Sequence, residues 1–371
     1  MDSPALPTLL LIPTGIGCRQ GGYAGDALPA ARLLAAASGC LITHPNVLNA
    51  AALYWSDRRL HYVEGWSLDR FAAGELALRP VARQRIGLLL DAGIEEELRW
   101  RHLQVADACR ASLGLSIGPV QLTDVPLGVR LTRGASGSSW GSLDRPDALL
   151  RAGEQLRAAG ATAIAVVARF PDDPDSVALA AYRQGSGVDA LAGAEAVISH
   201  LLSRHLGLPC AHAPALAPLP LDRQLDPRAA AEELGHTFLP CVLVGLSRAP
   251  DLVSLMGPDQ AAATAGPLLL ASQLGAVVAP AGALGGQAVL ACVDRGVPVI
   301  ALTDNPCLLA VDAASLGFPP VLAAATVEEA AGLVLALREG IAVEALRRPL
   351  ASVAAGLDHR AHGSQGARDG L

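Results

Sequence analysis

Short runs of consecutive apolar residues alternate along the chain with longer stretches rich in alanine, leucine and arginine. Continuous apolar runs are typical of strands in parallel sheets that are covered on both faces, and the longer stretches have the composition of helices. The pattern therefore predicts a layered α/β fold of mainly parallel sheets with helices on both faces and right-handed crossovers. The predicted strands are TLLLIP, CLITH, RIGLLLD, GPVQLTD, AIAVVARF, LPCAHA, CVLVGLS, AVVAP and VPVIALT.

Proline and glycine mark where some of the helices begin and end. Pro146 falls in the first turn of RPDALLRAGEQLRAAG, Gly160 closes that stretch, and DPRAAAEELG shows the same order of signals. A chain of 371 residues is long enough for about two domains. We predict an N-terminal α/β region over residues 1–133, a C-terminal α/β region over 134–350, and a flexible tail over 351–371.

Three segments share one order of features and indicate βαβ units with weak internal repetition. Each follows a strand, passes through a Gly- or Ala-rich turn with a polar residue, continues into a helix, and ends in a strand with a second polar group. A shared α/β pattern without true repetition is the alternative. The polar pairs are Asp26 with His44, Glu195 with His212, and Gln287 with Asp304.

The composition excludes several kinds of chemistry. Apolar residues make up 51% of the chain, and its 28 basic residues are all arginine. The absence of lysine excludes a Schiff-base lysine, a pyridoxal phosphate anchor and a phosphate-binding loop that ends in GK[ST]. The net charge of −7, without a basic run, argues against nucleic acid and anionic membrane surfaces as partners.

The cysteines and the first residues of the chain predict a cytoplasmic protein. The seven cysteines form no C-x-x-C pair and are expected to be reduced core residues. The first residues lack the early positive charge and long apolar region of a signal peptide. The uncharged stretch between Asp259 and Asp294 is long enough to cross a bilayer, but Gly266, Pro267 and Pro280 interrupt it. It indicates a buried βαβ unit rather than a membrane span.

Long phrases of the chain carry a resemblance to a known family. They are IPTGIG, GGYAGDALP, LITHPNVLNAA, VEGWSLDRFAAG, RHLQVADA, SGSSWGS, VVARFPDD, GVDALAGAEAVISH, PCAHAPAL, AAEELGHTFLPCVLVGLSRAP and GIAVEALRRPL. With them the chain resembles the uncharacterised cyanobacterial and plastid proteins catalogued as domain of unknown function 3326, over nearly its whole length to about Pro349. The resemblance implies a cytoplasmic or plastid-type housekeeping role. It supplies no reaction, and so it assigns no catalytic residue.

Polar residues follow several predicted strands, where ligands bind in open parallel sheets. His44 comes directly after the strand CLITH and before Pro45, so it could serve as a general acid, a general base or a metal ligand. Capping of the next helix is the alternative. His212 in PCAHAP has a parallel position. With Asp26 and Asp304 these histidines form the predicted catalytic set.

Two glycine-rich loops, TGIGCRQGGYAGD and PAGALGGQ, each follow a strand and precede a helix. Their free amides could hold a phosphate or carboxylate, although tight packing of the turns is the alternative. The hydroxyls of ASGSSWGS could act in the same way, and two arginines at predicted strand ends could contact an anion or pair with nearby acids. The predicted ligand-binding residues are Thr14, Gly15, Gly17, Thr43, Asn46, Ser138, Ser139, Arg169, Glu195, Arg248, Gly285, Gly286, Gln287 and Asn305.

An acidic turn and a cluster of aromatic residues each allow more than one interpretation. Asp172 and Asp173 in ARFPDDPD could hold a divalent metal ion, although an ordinary acidic turn is the alternative. His200 and His205, on a predicted helix, are interpreted as surface or packing residues. An aromatic cluster indicates a pocket wall, a lid, a contact with a second copy of the chain, or an ordinary satellite core. Its members are Tyr54, Trp55, Tyr62, Trp66 and Phe71.

Together these residues predict an enzyme that acts on a small polar or anionic metabolite by acid–base hydrolysis or group transfer. One alternative is a metal-dependent enzyme that uses His44, His212 and the loop of Asp172 and Asp173. The other is a non-catalytic protein that binds a ligand or assembles with a partner. No G-x-S-x-G elbow is present, which makes a serine hydrolase a minor option.

Overall fold

The computed structural model describes residues 4–50, 57–233, 238–256, 266–350 and Ser352. Its strands are β1 (Thr8–Leu10), β2 (Leu41–Thr43), β3 (Leu60–Tyr62), β4 (Leu76–Arg79), β5 (Ile86–Leu90), β6 (Ile117–Leu122), β7 (Val129–Arg133), β8 (Ser139–Leu143), β9 (Ala163–Arg169), β10 (Cys210–Ala215), β11 (Asp251–Ser254), β12 (Ala276–Pro280), β13 (Val299–Leu302) and β14 (Leu322–Ala324). Its helices are α1 (Leu28–Ser38), α2 (Pro45–Leu48), α3 (Gly65–Ala72), α4 (Glu96–Leu113), α5 (Pro146–Ala158), α6 (Val177–Arg183), α7 (Ala192–Leu206), α8 (Pro227–Glu233), α9 (Leu239–Leu246), α10 (Gln287–Asp294) and α11 (Val327–Arg338).

Two parallel sheets organise these elements. The larger sheet has six strands in the order β14-β13-β12-β1-β2-β3, and the smaller has four in the order β10-β9-β5-β6. Every neighbouring pair in both sheets is parallel. Two antiparallel pairs, β4 with β11 and β7 with β8, complete the strands. The predicted α/β fold with parallel sheets is confirmed.

Alternate residues of the strands pack on opposite faces of each sheet, as the pleat requires. Leu10 packs in a core shared with helix α1, whereas Leu9 packs in a second core with helices α3 and α10. In the smaller sheet Leu88 faces the shared core with α4 and α9, and Leu89 faces a third core with α5 and α7. Both sheets are therefore covered on both faces, which explains why their strands are continuously apolar.

The three segments with similar sequence order each form a βαβ unit. Helix α1 connects β1 to β2, α7 precedes β10 beside β9, and α10 connects β12 to β13. In every unit the two strands are adjacent and parallel. The third unit covers the uncharged stretch from Ala276 onward, so the prediction of a buried βαβ unit there is confirmed. The helices of the described ranges include none with the length and apolarity that a bilayer crossing needs.

One predicted strand is wrong. CVLVGLS lies in helix α9, which begins with a proline among its first two positions and is buried along almost its whole length. A short apolar run that is buried on all sides has no polar face, so its periodicity does not separate a strand from a helix. Arg248 consequently follows a helix and not a strand.

The sheets take strands from both sides of residues 133 and 134. β5 and β6 precede this point and pair in one sheet with β9 and β10, which follow it. The larger sheet joins β1 to β12 in the same way. The division into 1–133 and 134–350 therefore does not coincide with the sheets, and as a statement about folding units it stays a prediction. Residues 351–371, apart from Ser352, lie outside the described residues.

The aromatic cluster is partly a core feature. Tyr62 and Phe71 are buried, and the hydroxyl of Tyr62 donates to the side-chain oxygen of Asn49 over 3.1 Å. Tyr54 and Trp55 lie outside the described residues. For Tyr62 and Phe71 the interpretation as core residues is confirmed.

Candidate functional site

A cavity of about 530 Å³ lies where the carboxyl ends of the two parallel sheets meet. Thr14 and His44 reach it from beyond β1 and β2 of the larger sheet. Pro171 and Leu216 reach it from beyond β9 and β10 of the smaller sheet. Side chains at such strand ends are not needed for the core, which leaves them available for a ligand.

His44 presents a hydrogen-bond donor to this cavity. Its Nε2 accepts the main-chain N–H of Ile12 at 3.2 Å. Because an amide N–H can only donate, the neutral ring carries its proton on Nδ1. Burial lowers the pKa of His44 to about 4. His44 is the N-cap residue of α2, as the capping alternative required, but its side chain makes no cap bond to that helix.

His212 and Glu195 form a second acid–base group in the cavity. His212 lies on the face of β10 that α7 covers, and Glu195 lies in the first turn of α7. The Nε2 of His212 is 3.4 Å from Oε2 of Glu195, and its Nδ1 is hydrogen-bonded to the hydroxyl of Ser199. Both side chains are mostly buried, with 14% and 16% of their surface exposed. Two polar residues of one βαβ unit are thus brought together as predicted.

Glu64 and His200 form a pair that the sequence did not reveal. Glu64 caps α3, since its carboxylate accepts the main-chain N–H groups of Trp66 and Ser67 at 3.1 and 3.2 Å. The Nε2 of His200 lies 2.9 Å from the same carboxylate. Burial lowers the pKa of His200, but the hydrogen bond and charge of Glu64 outweigh it, so the net shift is upward. His200 was interpreted as a surface or packing residue, yet it lines the cavity.

Two more carboxyl groups line the cavity, and the pKa of each is raised. Burial and the charge of Glu195 raise the pKa of Asp189 to about 7. Burial and the charge of Asp189 raise the pKa of Glu232 well above its ordinary value. Glu232 accepts the Tyr182 hydroxyl at 2.7 Å and also the main-chain N–H of Ala24. Each of these carboxyls is therefore disposed to hold a proton that an exposed carboxyl would lose.

The cavity wall is acidic. Among the described residues that line it, Arg133 is the one arginine, whereas seven are aspartate or glutamate. Arg169, which was predicted to contact an anion, is held by Glu95 at 2.8 Å and by Asp172. Arg248 lines a separate surface hollow together with Arg58 and Arg83.

Asp172 and Asp173, the predicted metal ligands, have different contacts. Asp172 pairs with Arg169 and accepts the main-chain N–H of Ala217 at 3.0 Å. Asp173 lines the cavity. Within the described ranges, no group of three or more histidine, cysteine, aspartate or glutamate side chains is arranged to hold a metal ion.

Asp26, the last residue of the first glycine-rich loop, and Asp304, which contacts that loop, do not line the cavity. Asp26 accepts the main-chain N–H of Gly21, and burial raises its pKa to about 6. Asp304 forms an exposed ion pair with Arg19. The predicted catalytic set is thus divided, with His44 and His212 in the cavity and the two aspartates outside it.

The remaining predicted ligand residues mostly hold loops together. Thr43 donates to the carbonyl of Leu10 at 2.7 Å, and Asn46 donates to that of Gly21 at 3.0 Å while lining the cavity. Ser139 donates its N–H to the carbonyl of Gly15 at 2.9 Å. The other residues have these positions: Gly17 has a positive φ, Ser138 accepts the indole N–H of Trp140, and Asn305 binds the main chain of Gln20.

The second glycine-rich loop packs against helix α3 rather than facing the cavity. Gly286 is the N-cap of α10, and Gly285 would place a Cβ 2.9 Å from Val311. The N–H of Ala288, the second residue of α10, donates to Asp69 at 3.0 Å. Gln287 accepts a bond from Arg70 at 2.8 Å. A carboxylate of the chain itself therefore occupies the helix terminus that was considered for an anion.

Comparison with known proteins agrees with the resemblance seen in the sequence. An uncharacterised lipoprotein of Synechococcus sp. is 56% identical over 342 residues, which cover 92% of this chain and 93% of the relative. No solved structure matches the chain. The family model described as a protein of unknown function (DUF3326) matches residues 7–347. The chain therefore belongs to the DUF3326 family.

Proposed function

We propose that this protein is an enzyme that acts on a small polar metabolite by acid–base hydrolysis or group transfer. The observation that carries the proposal is the cavity itself, which collects a neutral histidine donor and a histidine–carboxylate pair at the carboxyl ends of two sheets. Acid–base catalysis commonly uses two proton-transferring groups whose environments give them different pKa values.

His212 is the proposed general base. The Ser199 hydroxyl donates to the main-chain oxygen of Glu195 at 3.3 Å, and a hydroxyl has one hydrogen to donate. In the proposed tautomer Nδ1 of His212 donates to the Ser199 oxygen, which leaves Nε2 to accept a proton from substrate. The carboxylate of Glu195, 3.4 Å from Nε2, would stabilise the imidazolium that forms.

His44 is the proposed electrophilic partner. Its Nδ1–H could donate to a carbonyl or similar oxygen of the substrate while the ring stays neutral. A neutral imidazole is favoured in this position because protonation would disrupt the bond to Ile12. The two histidines thus have complementary roles, one accepting a proton and the other donating a hydrogen bond.

The charge of the wall favours a neutral or cationic substrate over the anion considered from the sequence. Seven acidic residues line the cavity, and Arg169 is already engaged by two carboxylates. A bound anion would raise the pKa values of Asp189 and Glu232 still further, whereas a cationic group would stabilise the ionised forms of these carboxyls.

The test compares turnover by matched histidine variants. Small-molecule extracts of cells are incubated with wild type, His212→Asn or His205→Asn, and the change in each metabolite is measured by mass spectrometry. His205 is a suitable control, since it is half-exposed and pairs with Glu154 outside the cavity. We expect a metabolite to be consumed by wild type and His205→Asn, and its consumption to fall at least about 100-fold in His212→Asn.

Equal consumption by wild type and His212→Asn would contradict the role of His212. A metabolite that raises the melting temperature of wild type without any turnover would instead favour a non-catalytic binding protein. Turnover that is abolished by a chelator and restored by a divalent cation would favour the metal-dependent alternative with His44, His212 and the loop of Asp172 and Asp173.

The location of the protein is a separate proposal. The sequence predicts a cytoplasmic protein, whereas the relative from Synechococcus sp. is named a lipoprotein, a name that points to a membrane anchor. We keep the cytoplasm as the proposed location, on the composition of the chain. Separation of soluble and membrane fractions, followed by detection of the protein, decides between the two.

A further inference from the structure

Two loops that are far apart in the sequence run side by side. One follows β1 and the other follows β13. The main-chain N–H of Arg19 donates to the carbonyl of Pro306 at 3.0 Å, and the N–H of Leu308 donates to the carbonyl of Ile16 at 2.9 Å. Higher residue numbers in the first loop pair with lower residue numbers in the second, so the two segments are antiparallel.

Hydrogen bonds between a side chain of the second loop and the main chain of the first agree with this antiparallel register. The Asn305 side chain accepts the N–H of Gln20 at 2.9 Å and donates to the carbonyl of Gln20 at 3.0 Å. Cys18 and Cys307 lie between this contact and the bond that joins Ile16 to Leu308. Facing residues of antiparallel segments have Cα atoms about 4.5–5.5 Å apart, which is within the range that a disulfide spans.

The two thiols interact directly and differ in character. Cys18 is only 2% exposed, whereas Cys307 is partly exposed. The contact with Cys18 lowers the pKa of Cys307 to about 6, and the contact with Cys307, together with burial, raises the pKa of Cys18. Cys307 is therefore the more accessible of the two thiols and the one that loses its proton more readily, with Cys18 as its neighbour. The other five cysteines are buried.

We propose that Cys18 and Cys307 form a reversible disulfide, a redox modification site whose oxidant is a small-molecule disulfide such as oxidised glutathione. The thiolate of Cys307 attacks one sulfur of glutathione disulfide, displaces one glutathione thiolate and becomes a mixed disulfide. Cys18 then loses its proton and attacks the Cys307 sulfur, which displaces the second glutathione. Two protein thiols are oxidised, and one disulfide is reduced to two glutathione thiols, which take up the two protons.

The bond would connect the loops that follow β1 and β13, two strands of the larger sheet that have β12 between them. The loop after β1 carries Thr14, which lines the cavity, and Ala24, which donates to Glu232. A disulfide would tie this loop covalently to the loop after β13. The inference stands on the contacts of the two loops and does not depend on the proposed enzyme activity.

Peptide mapping of the full chain tests the proposal. The protein is equilibrated with mixtures of reduced and oxidised glutathione, denatured in acid, alkylated and digested with trypsin. Trypsin cuts only after arginine here, so Cys18 is the single cysteine of peptide 1–19 and Cys307 that of peptide 296–338. We expect these two peptides to be linked in oxidising mixtures and separate after reduction with dithiothreitol. Free thiols should fall by two from the seven of the reduced chain.

Single variants identify the steps. Cys18→Ser should lose the linked peptides and accumulate a glutathione adduct on Cys307. Cys292→Ser, which removes a buried cysteine elsewhere, should keep the link. Two outcomes for wild type at equilibrium in the oxidising mixtures would overturn the proposal. In the first, both cysteines are alkylated; in the second, Cys307 carries glutathione and the two peptides are not linked. A link between any other pair of cysteines overturns it as well.

Discussion

Replacement of His44 by glutamine should remove one pH-dependent part of the stability of the fold. In the folded chain, Nε2 of His44 accepts the N–H of Ile12, so a proton can bind there only by breaking this bond and charging a buried ring. Burial lowers the pKa from the ordinary 6.5 to about 4. An unfolded chain retains the ordinary value.

The size and sign of the effect follow from this difference. Each pKa unit corresponds to about 1.4 kcal/mol, so the difference corresponds to roughly 3 kcal/mol. As the pH falls below 6.5, the unfolded chain takes up the proton before the folded chain does. The contribution is therefore fully present above pH 6.5, and it is lost as the pH falls through about 4. Glutamine does not titrate, and the variant lacks this dependence.

Urea unfolding of wild type and His44→Gln at a series of pH values measures the effect. The stability advantage of wild type should shrink by roughly 3 kcal/mol between about pH 7 and about pH 4, and it should stay constant between about pH 7 and pH 9. Carboxyl groups such as Asp26 titrate in both proteins and cancel in the difference. Parallel pH profiles over the acidic range would refute the assignment of His44 as a buried neutral acceptor.

Four further substitutions test other contacts of the fold by urea unfolding. Glu232→Gln should gain stability relative to wild type as the pH rises above its ordinary 4.5, because the raised pKa of Glu232 makes the wild-type fold lose stability there; a flat difference contradicts this. Gly25→Ala should cost more than about 2 kcal/mol, since its Cβ would lie 2.3 Å from the carbonyl of Asn49 at a positive φ. Gly317→Ala, also at a positive φ but with open space, should cost only about 1 kcal/mol, and equal costs would refute the steric argument. Leu243→Ala in the buried helix α9 should cost about 2–5 kcal/mol, and a cost under about 1 kcal/mol would contradict its place in the core.

Sequence reasoning succeeded where one local pattern decides the structure. The runs TLLLIP and AVVAP became neighbouring parallel strands because a strand buried on both faces needs apolar residues at every position. It failed for CVLVGLS, because a helix buried on all sides needs the same composition. Strand β3 was not predicted, since its three residues follow the charged stretch DRR.

The site could be predicted only in part for the same reason. His44 and His212 were found because each interrupts or ends a strongly apolar strand. Glu64 was missed along with β3, although it follows that strand by two residues and precedes a helix, as the strand-end argument would have required. Asp189 and Glu232 could not be found from the sequence, since their pKa values are raised by burial and by carboxyls that only the tertiary fold brings near.

The acid–base groups of the cavity also join the two sheets. Glu64 caps α3, which packs on the larger sheet, whereas His200 lies on α7, which covers the smaller one. Helix α3 begins with Gly65, where a Cβ would lie 2.9 Å from Nε2 of His200, so the absence of a side chain allows this approach. His44 and His212 are divided between the sheets in the same way. The proposed general base His212 and the proposed hydrogen-bond donor His44 come from different sheets, and the relative placement of the sheets therefore sets the geometry on which the proposed chemistry depends.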